Sequence, residues 1–539
     1  MFIVTYNPFG YEGVVIRVEA DIRRGIPGID ISGLAAGAVR EARERVRAAF
    51  RNSGFKFPND RVLINLAPAG VRKDGAALDL AIALAVMTAA GEAPPVLDTM
   101  VLGELELSGR VRPVYGTLAA AAAGLEAGIR NFIVPSANAA EAAILEGCNV
   151  AGVDTLEDAV SVLRCLREHG RLPVTARGAR AVEADETGGA GTAGEAGEAG
   201  EAGFAVKGQK RYKRALEIAA AGGHNLLVFG PPGSGKTMLA HCMPLLMPPL
   251  TQSEAITVTR LHSLAGLSVN GLIVKPPFRS PHHSASAEGI LGGGRAVRPG
   301  EISLAHFGVL FLDEAPEFKV NVLQSLREPL EERRITISRA ESSVRLPADF
   351  QLVMAANPCP CGRLGMKSGV HRANGDDMNP AGANAAGMGC YCSGDDITRY
   401  WRRFGGALLD RIELRVPVNT PSISELSGGV EETAGEIAAR VRRAAEMEAE
   451  RFAGTAIRRN AGMDAAAIDR YCAIGGKTLA AFTNAVEKLG ISGRAYHGIL
   501  RVARTVADLE GADSIGAEHI LEAVTHRRQG DDPYDVFSV

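Results

Sequence analysis

The chain has 539 residues, more than one hydrophobic core normally organises, so about three folded units are expected. Apolar residues make up 46% of it and the formal net charge is −3, which excludes a protein that binds nucleic acid through a globally basic surface. The first residues lack the basic start and the long apolar run of a signal peptide, and the apolar stretch 76–90 is too short to cross a bilayer. With 8 cysteines in so long a chain, we expect a reduced cytoplasmic setting away from membranes.

Residues 1–172 predict one α/β domain in which strands and helices alternate. Branched apolar runs indicate the strands, and amphipathic or alanine-rich runs indicate the helices. The helix at 78–90 is almost entirely apolar, which indicates burial on all sides. The predicted strands are 14–20, 61–66 and 131–134, and the predicted helices are 37–51, 78–90 and 118–127.

Residues 173–203 predict a flexible, mildly acidic Gly/Ala/Glu linker. The segment includes a Gly-Glu-Ala repeat at 194–203 and has almost no bulky apolar side chain with which to form a core. The alternative is an acidic segment that attracts a basic partner.

A phosphate-binding loop is predicted where an apolar strand at 225–229 is followed by a glycine-rich turn and a helix. Glycines allow backbone N–H groups to approach phosphate oxygens closely, because no Cβ intervenes. Lys236 is expected to bridge the β- and γ-phosphates of ATP, and Thr237 to bind Mg²⁺. The expected nucleotide-binding residues are Gly230, Pro231, Pro232, Gly233, Ser234, Gly235, Lys236 and Thr237.

Three polar side chains follow two further apolar runs of this second α/β unit, which we place at residues 204–418. Asp313 is expected to hold Mg²⁺ together with Thr237, and Glu314 to orient and activate the attacking water. Asn357 ends the next strand, where its amide would sense the γ-phosphate or fix the water. An isolated Asp-Glu pair is common on protein surfaces, but after a buried strand and a phosphate loop it indicates a hydrolase.

Two basic segments indicate whether the partner is a nucleic acid. Residues 333–339 and 342–346 alternate with period two around a short turn, which predicts a β-hairpin. Such a hairpin suits contact with a phosphate backbone, and the alternative is a charged hairpin that merely keeps its surface soluble. The loop 275–294, with Lys275 and Arg279, could also line the pore of a ring. The arginines of the hairpin are Arg333, Arg334, Arg339 and Arg345.

A cysteine-rich insertion is predicted at 359–392. Two Cys-x-Cys pairs, Cys359 with Cys361 and Cys390 with Cys392, lie at its ends. Four thiolates suit tetrahedral Zn²⁺, and a metal would close a connection too long to order itself. Because Cys-x-Cys is less common than Cys-x₂-Cys, free thiols or a reversible disulfide remain alternatives.

Residues 419–528 have an entirely helical pattern, with helices predicted at 431–452, 464–473, 478–489, 494–509 and 517–527. Ser492 and Asp513 are plausible helix starts. We expect the tail 529–539 to be frayed.

The phosphate loop, Asp313-Glu314 and Asn357 together resemble the AAA+ ATPases, and the run Pro-Pro-Phe-Arg-Ser-Pro-His-His-Ser-Ala-Ser at 276–286 narrows this to the magnesium-chelatase group. From about residue 1 to 527, except at the linker, the chain is similar to the ComM/YifB family. The resemblance implies a Lon-protease-like (ribosomal S5 domain 2-like) N-terminal domain, a P-loop AAA+ α/β core and a C-terminal helical lid.

The resemblance to Lon rests on Lys73-Asp74-Gly75-Ala76-Ala77-Leu78, on Gly103-Glu104-Leu105 and on the segment 109–114. In Lon a serine nucleophile would occupy the position of Ala77, and its lysine base would fall close to Leu118. No lysine occurs in the sequence between Lys73 and Lys207. A serine–lysine dyad needs both groups, so the domain is expected to be a protease scaffold without protease activity.

The resemblance also assigns roles to two arginines. Arg411 looks like the arginine that reaches the γ-phosphate of a neighbouring subunit, and Arg494 looks like the second sensor. A shared site of this kind implies head-to-tail contacts that close into a ring, most plausibly a hexamer. The expected function is an ATPase, with Mg²⁺, that remodels branched or single-stranded DNA during DNA uptake and branch migration. The alternative is a chelatase-type motor that remodels a protein partner for metal insertion; an ATP-dependent protease is opposed by Ala77.

Overall fold

The computed structural model describes residues 2–73, 75–95, 98–173, 207–267, 271–294, 297–338, 343–364, 390–421, 432–489 and 491–528. The predicted linker falls almost wholly outside these residues, as do Arg339, most of the cysteine-rich insertion and the tail 529–539.

The N-terminal unit is a seven-stranded mixed sheet with helices on both faces. The strand order is β3-β4-β2-β1-β5-β8-β9, and β6 and β7 form a separate antiparallel pair. The strands are β1 Phe2–Asn7, β2 Val14–Arg23, β3 Gly28–Ser32, β4 Arg61–Ala67, β5 Thr99–Val101, β6 Glu104–Leu105, β7 Val111–Arg112, β8 Asn131–Pro135 and β9 Asn149–Val153. The helices are α1 Gly37–Asn52, α2 Asp79–Ala90, α3 Thr117–Glu126, α4 Ala139–Ala142 and α5 Leu156–His169.

Helix α2 lies at the centre of this unit, as its apolar sequence predicts. Its residues from Asp79 to Thr88 are buried. The buried Asp79 carboxylate accepts two hydrogen bonds from the Arg45 guanidinium of α1, at 2.6 and 3.0 Å. This ion pair neutralises a charge that would otherwise be costly in an apolar core. Ala77 packs half-buried at the edge of an apolar cluster, and Leu118 is fully buried, so both positions compared with Lon in the sequence hold apolar side chains.

The second unit is built on a five-stranded, all-parallel sheet in the order β11-β14-β17-β10-β18. Both faces are covered, which explains why its strands are continuous apolar runs. The strands are β10 Leu226–Phe229, β11 Phe278–Arg279, β12 Gly292–Gly293, β13 Arg298–Pro299, β14 Val309–Leu312, β15 Arg334–Ser338, β16 Ser343–Pro347, β17 Gln351–Ala356 and β18 Leu414–Pro417. The helices are α6 Lys210–Gly222, α7 Lys236–Ala240, α8 Met243–Leu246, α9 Gln252–Ala265, α10 Ala287–Leu291, α11 Glu301–Leu304, α12 Val320–Ser325, α13 Arg327–Glu332, α14 Gly394–Trp401 and α15 Gly406–Leu409.

Strands β15 and β16 form the predicted hairpin, antiparallel with Thr336 opposite Arg345. Its arginines have different environments. Arg333 has a left-handed backbone and its guanidinium lies 3.7 Å from Asp349, whereas Arg334 pairs with Glu332 at 3.0 Å. Arg345 is exposed. In the loop 275–294, Arg279 is bound by both carboxylate oxygens of Glu301, so its charge is locally neutralised.

The C-terminal unit is helical, as predicted, and packs on α6 and β18. Its helices are α16 Ala434–Arg451, α17 Ala465–Tyr471, α18 Gly476–Leu489, α19 Gly493–Leu509 and α20 Ala517–Arg528. The side chains of Ser492 and Thr433 cap α19 and α16. Among the described residues, no helix is long and apolar enough to cross a membrane.

The N-terminal unit contacts the second unit at α9 and at the hairpin. Arg260 of α9 stacks over the ring of Tyr11, 4.3 Å from its centroid, and donates to the carbonyl of Glu12 at 3.2 Å. Phe9 and Tyr11 pack against the apolar side of the hairpin, which includes Val344. At Gly10 a Cβ would lie 2.3 Å from Val344 Cγ1, so the close approach requires glycine.

Candidate functional site

The phosphate loop connects the buried strand β10 to helix α7, as the sequence predicts. Gly233 and Gly235 have positive φ angles of 75° and 83°, a conformation that L side chains rarely adopt. At Gly230 a Cβ would lie 2.1 Å from the carbonyl oxygen of Val418, so the start of the loop must also be glycine. The turn therefore brings backbone N–H groups and the start of a helix to one small region, the arrangement that binds phosphate.

Lys236 lies across the inner side of this loop. Its Nζ donates to the carbonyls of Gly230 at 2.7 Å and Pro231 at 2.8 Å, and to Asn357 Oδ1 at 3.4 Å. Burial lowers the pKa of Lys236 to about 8, against the opposing effect of the nearby carboxylates of Asp313 and Glu314. The predicted phosphate-binding lysine and the predicted sensor amide are therefore neighbours.

The two predicted Mg²⁺ ligands are in direct contact. The Thr237 hydroxyl donates to Asp313 Oδ2 at 2.8 Å, and Asp313 Oδ1 accepts from the backbone N–H of Glu314 at 2.9 Å. A hydroxyl and a carboxylate are the hard oxygen donors that Mg²⁺ prefers, so the residues present fit this ion.

Glu314 has a left-handed backbone with φ 49°, which is strained for a residue with a Cβ. Its carboxylate is about half exposed, and His283 Nδ1 lies 3.8 Å from Glu314 Oε2. The rings of His282 and His283 lie beside each other, with their centroids 4.1 Å apart. The rings meet because the chain turns here, with Ala285 N–H bonded to the His282 carbonyl, and is not an extended strand.

Arg411 and Arg494 lie at the other end of the sheet. Arg411 precedes β18, which runs parallel to β10 with Leu414 opposite Leu226, whereas Lys236 follows the far end of β10. A four-residue strand spans roughly 13 Å, so the backbone of Arg411 and that of Lys236 lie at opposite ends of a strand of about that length. Arg494, at the start of α19, lies beside Arg411, and both guanidiniums contact Glu331 Oε1, that of Arg494 at 2.7 Å.

These two arginines line a cavity of about 430 Å³ that the sequence did not reveal. Asp410, Glu331, Asp349 and Glu413 supply acidic groups to it. The buried Nε atoms of Arg411 and Arg501 have no hydrogen-bond partner among the described residues. The spacing of Arg494 and Arg501, seven residues apart on one helix, could have indicated a shared face. The arginines that line the cavity are Arg333, Arg411, Arg458, Arg459, Arg494, Arg501 and Arg527.

The four predicted metal-ligating cysteines converge. The sulfur atoms of Cys359, Cys361, Cys390 and Cys392 all lie within 4.8 Å of one another. Cys359 Sγ is 3.3 Å from Cys361 Sγ and 3.6 Å from Cys390 Sγ. Tetrahedral zinc with Zn–S bonds of about 2.3 Å needs sulfurs about 3.8 Å apart, so the cluster fits this ion closely. Burial raises the pKa of the Cys361 thiol, but backbone and thiol hydrogen bonds outweigh it and lower that pKa to about 6.

Comparison with known protein families gives three matches along the chain. Residues 18–138 match the family described as subunit ChlI of Mg-chelatase. Residues 204–426 match magnesium chelatase, subunit ChlI, and residues 431–527 match the C-terminal part of that subunit.

Individual relatives extend these matches over almost the whole chain. The protein YifB of Salmonella typhimurium is 37% identical over 528 residues, which are 97% of this chain and 96% of that protein. The competence protein ComM of Haemophilus influenzae is 38% identical over 523 residues, 96% of this chain and 95% of ComM. A weaker similarity, 23% identity over 171 residues, links 30% of the chain to 20% of the Lon protease of Geobacter metallireducens.

The geometry predicts that Glu314→Gln will retain nucleotide binding and lose most hydrolysis, because an amide fits the site but cannot accept a proton from water. Steady-state ATP hydrolysis and nucleotide affinity should be measured on the same preparations. Lys236→Ala should lose both quantities. Glu317→Gln, an exposed carboxylate on the next turn, is the matched control and should behave as wild type. Near-normal turnover by Glu314→Gln would contradict its role.

Proposed function

Because the chain belongs to the ComM/YifB family of magnesium-chelatase-like proteins, we propose that this AAA+-type ATPase acts as a ring and couples ATP hydrolysis to the remodelling of DNA. The substrate would be branched or single-stranded DNA, and the process branch migration during DNA uptake and recombination. The name of the Haemophilus relative, a competence protein, agrees with this choice.

The separation of the two half-sites is the observation that carries the proposal. Lys236, Thr237, Asp313 and Glu314 would bind and hydrolyse ATP at one edge of the sheet, while Arg411 and Arg494 lie at the opposite edge. A strand of roughly 13 Å lies between such an arginine and the phosphate loop of its own subunit, which favours service to a neighbouring subunit. Each arginine would instead stabilise the transferring phosphoryl group on a neighbour. Successive head-to-tail contacts of this kind close into a ring, which we take to be a hexamer.

When Mg²⁺ is bound, it would neutralise charge on the β- and γ-phosphates. The residues of this chain do the rest. Thr237 and Asp313 would hold the ion. Lys236 would leave the loop carbonyls of Gly230 and Pro231 and bind the phosphates instead. Glu314 would accept the proton of the attacking water. Asn357, which contacts Lys236, would register the presence of the γ-phosphate.

The hairpin β15–β16 is our candidate DNA contact. Arg345 supports this because it is exposed and has no neutralising carboxylate among its described contacts, unlike Arg334. Arg339, in the sequence between the two strands, is the best single candidate but lies outside the described residues. Arginine suits the phosphate backbone because it releases counterions whatever the base sequence.

The second candidate function is a chelatase-type motor that remodels a protein partner for metal insertion. The three matches to chelatase subunit families favour it. DNA binding separates the two candidates, because a protein-remodelling motor has no need of a phosphate-backbone contact.

We also propose that the four clustered cysteines bind one structural Zn²⁺ per chain. Cys359 Sγ lies 3.3 Å from Cys361 Sγ and 3.6 Å from Cys390 Sγ, which is close to the spacing of a tetrahedral tetrathiolate site and longer than a disulfide bond of about 2.05 Å.

Mixing two inactive variants should restore activity if the site is shared. Arg411→Ala subunits keep their own phosphate loop and Glu314, and Glu314→Gln subunits keep Arg411. Mixed rings should therefore contain some complete sites and hydrolyse ATP faster than either variant alone. Light scattering should first establish that mixed rings form. If they form without any recovered hydrolysis, the site is not shared between subunits.

Replacing Arg339 and Arg345 by alanine should weaken DNA binding at all sequences. The slope of the logarithm of the binding constant against the logarithm of the salt concentration should become less negative. The change should be roughly 0.7–0.9 for each phosphate that the variant no longer neutralises. Arg17→Ala, on β2 of the N-terminal unit, provides the control. Binding to single-stranded, duplex and four-way-junction DNA should be titrated at several salt concentrations, together with ATPase activity. Wild type without DNA affinity would favour the protein-remodelling function instead.

A further inference from the structure

The four-cysteine cluster lies directly against the proposed ATP site. Cys359 follows Asn357 by two residues, and Gly362 packs on the phosphate loop so closely that a Cβ there would lie 3.0 Å from Pro232 Cδ. The segment 357–362 therefore joins the sensor amide, two of the four thiols and a contact with the loop within six residues.

A second set of contacts ties this segment to the strand that leads into the phosphate loop. Trp401 Nε1 donates to the carbonyl of Pro358 at 3.0 Å, and the Trp401 ring packs edge-on against Phe229 at 5.3 Å. Trp401 ends the helix α14 that starts directly after Cys392. Both cysteine pairs are thus attached to elements that border the nucleotide site.

Without a metal, four thiolates held this close would repel one another, and protonated thiols give weak hydrogen bonds. A bound ion removes the repulsion and fixes the two ends of the insertion together. The position of Asn357 relative to Lys236 would then depend on whether the ion is present.

We propose that zinc bound by Cys359, Cys361, Cys390 and Cys392 is a brace of the ATP site, which holds Asn357 and Gly362 against the phosphate loop so that hydrolysis requires the metal. This rests on the ATPase function and the zinc site proposed above. The cysteines act on the site through Asn357 and Gly362, so they are positioning residues.

The test uses the full chain with Cys390→Ser and Cys392→Ser combined, because these two half-buried thiols can be replaced with less disturbance than the buried Cys359. Cys165→Ser, on helix α5 of the N-terminal unit, is the matched control. Elemental analysis should find about one zinc per chain in wild type and control and none in the double variant. The double variant should lose about 10- to 100-fold in kcat, the range seen when a residue that supports a functional group is removed, with nucleotide affinity changed far less.

Hydrogen exchange gives a readout that does not depend on hydrolysis. Removing zinc from wild type should speed exchange in 226–240 and 351–362, while 131–135 in the N-terminal sheet stays unchanged, and adding Zn²⁺ back should reverse it. A zinc-free variant with wild-type kcat and unchanged exchange would overturn the brace. Metal-free, normally folded wild type would overturn the zinc site. If zinc and its effect on exchange are found without ATP hydrolysis, the brace stands and the proposed function fails.

A different observation carries a second inference, about Glu331. One carboxylate oxygen of Glu331 contacts the guanidiniums of both Arg411 and Arg494. The Glu331 side chain is 47% exposed, whereas that of Arg411 is only 9% exposed, so the acid reaches Arg411 from the solvent side. A carboxylate between two guanidiniums occupies the position that a phosphate oxygen would take.

Glu331 is also close in sequence to the hairpin. It is the fifth residue of α13, and Arg333, with its left-handed backbone, connects this helix to β15. A shift of Glu331 would therefore move the residues at the base of the hairpin.

We infer that the γ-phosphate of the neighbouring subunit's ATP displaces Glu331 from Arg411 and Arg494. This displacement frees α13 and so signals to the hairpin that nucleotide is bound. This rests on the proposed trans roles of Arg411 and Arg494. The acid competes with the phosphate for the same two cations, so subunit assembly has to overcome an internal ion pair.

Glu331→Gln keeps the shape and removes the competing charge. The ATP concentration for half-maximal ring assembly, followed by analytical ultracentrifugation with a slowly hydrolysed ATP analogue, should fall about 10-fold, the effect of one charge-assisted hydrogen bond. The ratio of the ATP hydrolysis rate with DNA to the rate without DNA should fall toward one, because the hairpin is already released in this variant. Glu328→Gln, one turn earlier on α13, is the control and should match wild type. If Glu331→Gln needs the same or a higher ATP concentration for half-maximal assembly, the displacement of Glu331 by phosphate is overturned. Assembly that is insensitive to Arg411→Ala would instead overturn the trans site on which it rests.

Discussion

The parallel arrangement of five strands is the constraint on which the rest of this structure depends. Because β10, β14, β17 and β18 all run in one direction, the residues that follow them collect at one edge, and the residues that precede them collect at the other. Lys236 and Asp313 stand at the first edge, and Arg411 at the second. The two sets therefore lie at opposite edges of one sheet, which is the arrangement on which the proposed shared site rests.

The charged groups are divided between the same two edges of the sheet. At the carboxyl edge, burial holds the pKa of Lys236 low, and its ammonium is held by carbonyl groups of the loop. At the amino edge, burial lowers the pKa of Arg411 while Glu331 opposes that effect. Each half-site has thus acquired internal partners for groups that would otherwise face the ligand. In the proposed shared site, a bound nucleotide would have to replace those internal contacts.

Sequence reasoning succeeded where the information was local. The phosphate loop was predictable because its glycines, its lysine and the apolar strand before it lie within a dozen residues, and the cysteine cluster because four soft ligands occur in two pairs. It could not find Glu331, which meets Arg494 across more than 160 residues. The helical unit was foreseen, yet its position beside α6 and β18 depends on packing that no periodicity reveals.

The contact between the N-terminal unit and the hairpin bears on how this protein can be dissected. Phe9 and Tyr11 cover Val344 and its apolar neighbours, and Gly10 fits where no other residue would. An ATPase core expressed from residue 204 onward would leave this surface open to water, beside strands able to pair with another chain. Such a fragment invites aggregation, and its behaviour would misrepresent the intact enzyme. The N-terminal unit thus covers an apolar surface of the hairpin that a separated core would expose.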